Sequence, residues 1–514
     1  MEIKKILIAN RGEIAIRIIR TCKEMGIQTV ALCPRPGEEE NFLETKFADE
    51  FCYLEEDGIL GYLDQKKIIQ IAKKSAVQAI HPGYGFLAEN GDFADLCSRN
   101  GIKFIGPSGD ILRRFGNKIE AKKIAREIKC PLLPATQDPV KSEEECVRVA
   151  KKLGTPFLLK ASNGGGGVGI KVIKKINKND ISNSFQKLKR EVKNAFGSDE
   201  IFIERYLSEA RHIEFQILGD GKGKVIHFGE RECSVQRRHQ KLIEEAPSPF
   251  LDRKLRKKMG KYAVKIGRYL NYEGLGTVEF LVDKDKNFYF MEVNPRIQVE
   301  HPVTEFITGF DLVAEQIKVA EGKNFEIKQG DIKFSGWAME FRINSEDPWN
   351  NFSPRAGAVN KYIAPGGSGV EMHTFCHDGQ EVFPYFDSLL AKLVVFGKDR
   401  PNVIRKAKRA FSELSIEGIS TLIPFFKIVL LNKNFVNGAI STSFIQKEKI
   451  VEQLKKTPEE EDTKECLKET KKEEVAYIVA HLYKEMQKQS SKEAGFNKWK
   501  SISRQNFLAD KEIF

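Results

Sequence analysis

The first part of the chain alternates apolar runs with one amphipathic stretch. Residues 4–10 are typical of a buried strand, and a second apolar run occupies residues 28–32. Between them lies an apolar stripe at helical spacing, formed by Ile14, Ile18, Cys22 and Met25. The pattern predicts a β-α-β unit. Because Asn10-Arg11-Gly12-Glu13 stands at the first turn in place of G-x-G-x-x-G, no dinucleotide site is predicted there.

A glycine-rich loop joins two predicted strands, residues 157–160 and 170–173. A Walker A loop would instead lead into a helix and end in Gly-Lys-Ser/Thr, which is absent here. Without side chains, backbone N–H groups can approach phosphate oxygens closely, and Lys160 at the end of the first strand supplies a cation. The pattern favours a phosphate-covering flap, and a plain hairpin tip is the alternative.

Two later strands, residues 277–283 and 288–294, flank a four-residue turn. If Asp283 pairs with Phe288 across this turn, Glu279 lies directly opposite Glu292, and Asn294 shares the face of Glu292. Adjacent carboxylates repel, so they require a cation, and oxygen ligands suit Mg²⁺ or Mn²⁺. The hairpin therefore predicts a metal site. The alternative is a solvated sheet face on which each glutamate has its own lysine.

Polar residues also concentrate in three segments, residues 79–90, 230–241 and 294–302. The first is broken by glycines and a proline, which suits either a ligand-facing loop or a structural turn. In the other two, Arg, Lys and Gln side chains could hold a small planar oxyanion beside a glutamate that acts as general base. A charged surface would explain these two segments equally well.

Length and composition exclude several classes of protein. The 514 residues suggest about three domains, and 41% hydrophobic with 30% charged residues excludes a fibrous or disordered chain. There is no apolar run of the ~20 residues that a membrane span needs and no signal peptide, so we expect a cytoplasmic protein without membrane contact. The net charge of +12 is spread along the chain without a nucleic-acid-binding motif, and the nine cysteines form no disulfide or zinc pattern.

An ordered set of motifs resembles the biotin carboxylase component of biotin-dependent carboxylases, of the ATP-grasp superfamily, over about residues 1–445. The motifs are residues 81–90, the glycine loop after Lys160, residues 237–247, 292–305, 341–348 and 384–392. The resemblance implies an α/β fold with an α+β central part. Its parts would be a Rossmann-like N-terminal domain (1–115), an ATP-grasp domain (116–336) with a flap subdomain at about 132–205, a biotin carboxylase C-terminal domain (337–445), and a charged linker with a helical extension (446–514).

The implied activity is ATP- and bicarbonate-dependent carboxylation of biotin N1′ through carboxyphosphate, the first half-reaction of an acyl-CoA or pyruvate carboxylase. The implied cofactors are ATP, Mg²⁺ or Mn²⁺, and bicarbonate. No Met-Lys-Met biotin-attachment site is present, so biotin is expected on a separate biotin carboxyl carrier protein, and the second expected partner is a carboxyltransferase subunit. Ser368 and Glu371 stand where the family tends to have an aromatic residue and an arginine at its dimer contact, so a homodimer is left open.

The resemblance also implies site residues. The positions that match ATP contacts are Lys118, Lys160, Gly165, Gly166, Gly167, Glu204, Tyr206, Leu207, His212, Gln236 and His239. Glu279, Glu292 and Asn294 match metal ligands, in agreement with the hairpin pairing. The positions that match bicarbonate and biotin contacts are Lys241, Arg296, Gln298, Val299 and Arg342, and Tyr84 is a further expected cofactor-binding residue. Glu300 matches the general base, and Arg342 the residue that stabilises the biotin enolate.

Two other functions fit part of the sequence pattern. A carboxylate–amine ligase, such as the synthetase that makes carbamoyl phosphate, would share the flap and the metal hairpin, but not the segments around Lys241 and Glu300. A catalytically silent nucleotide-binding subunit would not need every matched catalytic position. The chain also departs from the family at Val168 in the flap and at Glu44, where a histidine is common. Its amphipathic stretch from Val475 to Met486 suggests a helix that packs on its own domain or docks the carrier partner.

Overall fold

The computed structural model describes residues 2–56, 58–136, 138–161, 170–196, 200–323 and 325–456. Three predicted features therefore lie outside the described residues: the loop with Gly165, Gly166, Gly167 and Val168, the stretch from Val475 to Met486, and the side chain of Lys118. Within the described part, the predicted α/β class is confirmed. No helix in these ranges is both long enough and apolar enough to cross a membrane.

The N-terminal region is built on a parallel sheet of five strands in the order β3-β2-β1-β4-β5. Its elements are β1 (Lys5–Ile8), α1 (Gly12–Glu24), β2 (Gln28–Cys33), a short 3₁₀ helix (Glu39–Asn41), α2 (Glu44–Phe47), β3 (Glu50–Tyr53), α3 (Ile59–Leu63), α4 (Gln65–Lys74), β4 (Ala79–His81), α5 (Gly91–Arg99), β5 (Lys103–Phe104) and α6 (Gly109–Gly116). The predicted β-α-β unit is confirmed, because Ile14, Ile18 and Cys22 of α1 are buried against the sheet.

The central region contains a three-stranded sheet, in the order β7-β6-β8, and most of a larger sheet. Its elements are α7 (Lys118–Glu127), α8 (Glu143–Leu153), β6 (Phe157–Ala161), β7 (Ile170–Ile173), α9 (Lys178–Phe196), β8 (Ile201–Arg205), β9 (Arg211–Asp220), β10 (Val225–Arg237), β11 (Gln240–Ala246), α10 (Arg253–Tyr269), β12 (Glu273–Val282), β13 (Phe288–Asn294), α11 (His301–Thr308) and α12 (Leu312–Ala320). The antiparallel pairing of Lys160 with Ile170 confirms the two strands that the sequence predicts around the glycine loop.

The C-terminal region adds strands to the larger sheet and covers it with helices. Its elements are β14 (Trp337–Asn344), β15 (Glu346–Asp347), β16 (Ser353–Pro354), β17 (Gly357–Val359), β18 (Lys361–Ile363), β19 (Val370–Thr374), β20 (Gln380–Val382), β21 (Leu389–Gly397), α13 (Arg400–Glu413), β22 (Ser415–Glu417), α14 (Ile423–Leu431), α15 (Lys433–Val436), α16 (Phe444–Lys447) and α17 (Ile450–Leu454). Ile450 and Leu454 are fully buried, so α17, at the start of the predicted linker, packs into the core of this region.

The larger sheet has eight strands in the order β13-β12-β9-β10-β11-β14-β21-β19. Its strands come from both the central and the C-terminal regions, because β11 pairs with β14 in antiparallel register. One continuous sheet thus carries both the predicted metal hairpin and the strand of Arg342. This sheet places the predicted site residues of the two regions on one surface.

Glu44, where the resembling family commonly has a histidine, is the first residue of α2 and is buried in the N-terminal region. Its Oε1 accepts a hydrogen bond from the backbone N–H of Gly12 at 2.9 Å. Burial raises the pKa of Glu44 from 4.5 to about 7, although Arg11 opposes this shift. Between these two values the folded protein holds a proton that the unfolded chain has released, so the free energy of unfolding falls as pH rises through this interval.

We therefore expect Glu44→Gln to melt at a higher temperature than the wild type at about pH 8, and at nearly the same temperature at about pH 5. Glutamine can still accept the hydrogen bond from Gly12, but it cannot lose a proton. In the wild type, deprotonation of Glu44 lowers the free energy of unfolding by no more than about 3 kcal/mol. Thermal melting curves over this pH range test the expectation, with the exposed Glu40→Gln as the matched control. A gain that is the same at both pH values would contradict it.

Candidate active site

The site lies on one face of the eight-stranded sheet. Along the strand β9, polar residues that face the site alternate with apolar residues that face the core. On β9, His212, Glu214 and Gln216 point to one side, and Ile213, Phe215 and Ile217 fill the core on the other. β12 continues the polar face, because Glu279 lies opposite Glu214 in the register. The period of two therefore collects carboxylates and amides on one buried surface.

The hairpin of β12 and β13 places Glu279 opposite Glu292, as the sequence predicts. The predicted pairing of Asp283 with Phe288 is wrong, because Val282 pairs with Phe288 at the turn. The register shifts by one residue at Met291, between the pairs Phe280–Phe290 and Glu279–Glu292. This β-bulge restores the predicted pairing of the two glutamates.

Glu279 is almost fully buried, and both of its carboxylate oxygens have polar partners. Its Oε1 accepts hydrogen bonds from Lys241 Nζ at 2.9 Å and Asn294 Nδ2 at 2.7 Å, and its Oε2 lies 2.8 Å from His212 Nε2. At Glu279 the sheet face is therefore buried and not solvated. In the structure, the ammonium of Lys241 compensates the charge of Glu279, and the His212 ring from the neighbouring strand β9 also contacts it.

Lys241 and Arg342 hold Glu300 between them. Lys241 Nζ donates to Glu300 Oε1 at 2.7 Å, and Arg342 Nη2 donates to Glu300 Oε2 at 2.9 Å. Lys241 also pairs with Glu214, and Arg342 Nε donates to Glu244 Oε1 at 2.6 Å. Glu300 is thus a fixed carboxylate with a cation on each oxygen.

The pKa values of these groups follow from burial and from charge pairing. Burial alone would raise the pKa of Glu300, but Lys241 and Arg342 outweigh it and lower the pKa well below the ordinary range. Burial would likewise lower the pKa of Lys241, but Glu214, Glu279 and Glu300 raise it well above its usual value. Both groups are therefore charged at neutral pH.

A cavity of about 1880 Å³ connects these groups with the three-stranded sheet. At that end, Lys160 Nζ lies 3.8 Å from a carboxylate oxygen of Glu204. At the other end, Arg296 Nε donates at 2.6 Å to Glu89 in the predicted ligand-facing loop. The predicted site residues that line this one cavity are Tyr84, Lys160, Glu204, Tyr206, Leu207, His212, Gln236, His239, Lys241, Glu279, Glu292, Asn294, Arg296, Gln298, Val299, Glu300 and Arg342.

Three buried residues of the network are not predicted as individual site residues from the sequence: Arg231, Glu244 and Glu214. Arg231 is fully buried and donates to Glu214 Oε1 at 2.5 Å and to Gln216 Oε1 at 2.8 Å. Glu244 accepts from Arg342 and is also fully buried. The position of Glu214 could have been predicted from the sequence. His212, Glu214 and Gln216 alternate with apolar residues, as expected for a strand with one polar face.

The donor set suits a divalent cation. Glu279 and Glu292 are opposite one another, and Asn294 adds an amide whose oxygen and nitrogen can exchange places by rotation. These oxygen ligands match the preference of Mg²⁺ or Mn²⁺. A bound metal ion would share Glu279 with Lys241 and His212, the side chains that now contact it.

Three family models match consecutive parts of the chain. They are "Biotin carboxylase, N-terminal domain" at residues 2–112, "Carbamoyl-phosphate synthase L chain, ATP binding domain" at 117–328, and "Biotin carboxylase C-terminal domain" at 340–447. Biotin carboxylase 1 of Bacillus subtilis is 46% identical over 446 residues, which are 86% of this chain and 98% of the relative. The 2-oxoglutarate carboxylase small subunit of Hydrogenobacter thermophilus is 42% identical over 443 residues, 86% of this chain and 93% of that protein.

A solved structure agrees with this result. It is the biotin carboxylase domain of the Hydrogenobacter thermophilus 2-oxoglutarate carboxylase, a dimer in complex with MgADP, ADP and bicarbonate. It superposes with a TM-score of 0.85 at 41% identity and covers 89% of this chain and 100% of that one. The fold and the cavity thus define an ATP-grasp enzyme, an ATP-dependent ligase.

More specifically, the chain belongs to the biotin carboxylase family. The predicted resemblance is confirmed, and the activity of the family is the ATP-dependent carboxylation of biotin. The carboxylate–amine ligase is set aside, because the flanking N- and C-terminal models are those of biotin carboxylase. The match to the carbamoyl-phosphate synthase model covers only the ATP-binding domain, which the two kinds of enzyme share.

Proposed function

We propose that Glu300 is the general base that deprotonates bicarbonate, held in place by Lys241 and Arg342. The observation that carries this proposal is the pair of hydrogen bonds, 2.7 and 2.9 Å long, that leave Glu300 charged in the wall of the shared cavity. Its low pKa keeps Glu300 ready to accept a proton, but also makes it a weak base. An anionic substrate that competes for Lys241 and Arg342 raises the pKa of Glu300 toward the value that a base needs.

The bicarbonate end of the cavity is assigned to Lys241, Arg296, Gln298 and Val299. Their chemistry supports the assignment, since two cations and an amide can bind a planar anion from several sides. After losing its proton to Glu300, bicarbonate attacks the γ-phosphate of ATP, and the bond from this phosphorus to the ADP oxygen breaks. The products of this step are carboxyphosphate and ADP.

Carboxyphosphate then releases CO₂ and phosphate beside biotin. The phosphate takes the proton of biotin N1′, and Arg342 stabilises the negative charge on the ureido oxygen until N1′ captures CO₂. Its guanidinium suits this role, because burial does not remove its charge and it already contacts two carboxylates of the site. Water must be excluded, which is the role proposed for the glycine flap. Tyr84 lines the same cavity and is assigned as a further cofactor contact.

The nucleotide end of the cavity is assigned to Lys160, Glu204, Tyr206, Leu207, His212, Gln236 and His239, with Lys118, Gly165, Gly166 and Gly167 as further contacts. Glu279, Glu292 and Asn294 would hold Mg²⁺ or Mn²⁺, which would neutralise phosphate charge when bound. The proposed partners are a biotin carboxyl carrier protein on a separate chain and a carboxyltransferase subunit. The relative that is the small subunit of 2-oxoglutarate carboxylase supports such an assembly.

The proposed function is tested by measuring ADP release from MgATP by the full chain, with and without bicarbonate and free biotin. ADP release is expected to require bicarbonate and to rise when biotin is added. Labelled carbonate carbon is expected to appear in carboxybiotin. ATP cleavage that ignores bicarbonate, or that ammonia stimulates instead, would contradict the function.

A further inference from the structure

We propose that Lys392 is a positioning residue for the carboxylation reaction, a role that rests on the proposed function of the cavity. Lys392 lies on β21 and is fully buried. Its ammonium is placed where the N-terminal, central and C-terminal parts of the chain meet. It fixes the backbone that carries Glu300 and, through Glu13, the loop of Tyr84.

Two contacts define the role of Lys392. Its Nζ donates to the backbone carbonyl of Val299 at 2.8 Å and pairs with Glu13 Oε2 at 3.0 Å. Glu13 belongs to α1, is nearly fully buried, and accepts a hydrogen bond from the Tyr84 hydroxyl through Oε1. One cation thus connects the Val299 backbone to the loop that carries Tyr84.

Strand register places Lys392 beside Arg342. The two residues are directly opposite each other on β14 and β21, so their side chains leave the sheet on the same face. Arg342 holds the side chain of Glu300, and Lys392 holds the carbonyl of the residue before it. Neighbouring strands therefore fix the backbone and the carboxylate of the proposed base separately.

The hydrogen bond to Val299 acts through the planarity of the peptide bond. In a trans peptide, the carbonyl of Val299 and the N–H of Glu300 point in opposite directions. An ammonium that fixes this carbonyl therefore also fixes the direction of the Glu300 N–H and the position of its Cα. An error of about 1 Å in such a position can cost about 10²-fold in rate.

The buried ammonium is costly to maintain. Removing a charge from water is unfavourable, and an apolar side chain of similar volume often serves packing equally well. Glu13 and the Val299 carbonyl offset this cost. Packing alone does not explain a lysine at this position, whereas a requirement to pair with Glu13 and to hold the Val299 carbonyl does.

The test separates positioning from stability with two variants. Lys392→Met removes the donor but leaves the Glu13 carboxylate buried and unpaired, so a lower melting temperature is expected as well as a loss of activity. Adding Glu13→Gln neutralises that carboxylate while keeping an acceptor for Tyr84. We expect the double variant to recover most of the melting temperature, yet to retain a loss of about 10²-fold in kcat/KM for bicarbonate.

Binding of MgADP is expected to match the wild type in every folded variant, because the two groups that Lys392 holds, Val299 and Glu13, are not among the proposed nucleotide contacts. Lys406→Met is the matched control, since Lys406 also donates to backbone carbonyls, those of Ser368 at 2.8 Å and Phe396 at 2.9 Å, but neither of these residues lines the cavity. Its bicarbonate kinetics should be unchanged. If Lys392→Met alone does not fold, the double variant still decides the question.

Two results would overturn the proposal. One is a double variant that recovers bicarbonate kinetics together with its melting temperature, which would give Lys392 a purely structural role. The other is an equal loss for MgADP binding and for bicarbonate turnover, which would indicate general disorder of the cavity. A wild-type chain without bicarbonate-dependent ATP cleavage would instead contradict the proposed function, and is recognised before any variant is compared.

Discussion

Replacing Glu300 with glutamine is expected to leave MgATP binding intact and to lower bicarbonate-dependent turnover by about 10²–10⁴-fold, the usual contribution of a general base. Glutamine has the shape of glutamate and can still accept a hydrogen bond from Lys241 or Arg342, but it cannot take a proton. The loss should therefore appear in kcat, with little change in nucleotide affinity. Steady-state kinetics and calorimetric binding of MgATP measure the two effects.

The control for Glu300→Gln is Glu230→Gln. Glu230 is also a fully buried carboxylate paired with an arginine, since Arg256 donates to it at 2.7 Å, but it does not line the cavity. This variant should lose stability and keep the turnover of its folded fraction. Near-normal turnover of Glu300→Gln would show that another group accepts the proton.

Lys241→Met is expected to have the second large effect, on both stability and activity. Lys241 contacts three carboxylates, Glu214, Glu279 and Glu300. Removing one partner of a buried ion pair costs about 3–5 kcal/mol, because the remaining charges lose their compensation. Loss of a donor to an anionic substrate should lower kcat by a further factor of about 10²–10³.

The stability loss of Lys241→Met should depend on pH. Despite burial, Lys241 lowers the pKa of Glu279 and Glu300, so in the wild type these carboxylates stabilise the fold above their unfolded pKa, and this contribution is lost as pH falls. The difference in melting temperature between the variant and the wild type should therefore be largest at neutral and alkaline pH and shrink toward acid. Lys286→Met, which breaks a single exposed pair with Asp252, serves as control. A difference that does not change with pH would contradict the charge argument.

Local patterns predicted the elements that depend on few residues. The apolar stripe of α1 and the strands around the glycine loop follow directly from hydrophobic periodicity. The pairing of Glu279 with Glu292 was predicted from an Asp283–Phe288 pair that the structure does not have. The pairing is nevertheless present, because the bulge at Met291 shifts the register by one residue. Bulges are not visible in an apolar–polar pattern, because the extra residue changes register without changing composition.

The network around Glu300 depended on contacts between distant parts of the chain. Lys392 lies in the motif at residues 384–392, but no local pattern shows that its ammonium reaches Glu13 and the Val299 carbonyl. Arg231 and Glu244 were likewise hidden until neighbouring strands were placed in register. The packing of the start of the charged segment could not be predicted either. Apolar residues are few there, but two of them, Ile450 and Leu454, are buried against the C-terminal helices.

The central claim is that bicarbonate attacks the γ-phosphate of ATP in the cavity that contains Glu300. It is tested most directly by supplying bicarbonate labelled with heavy oxygen and analysing the phosphate released by the wild-type chain with MgATP and biotin. Carboxyphosphate leaves one oxygen of bicarbonate on this phosphate, so transfer of the label into phosphate is predicted, together with its loss in Glu300→Gln. Phosphate whose new oxygen comes only from water would contradict the claim.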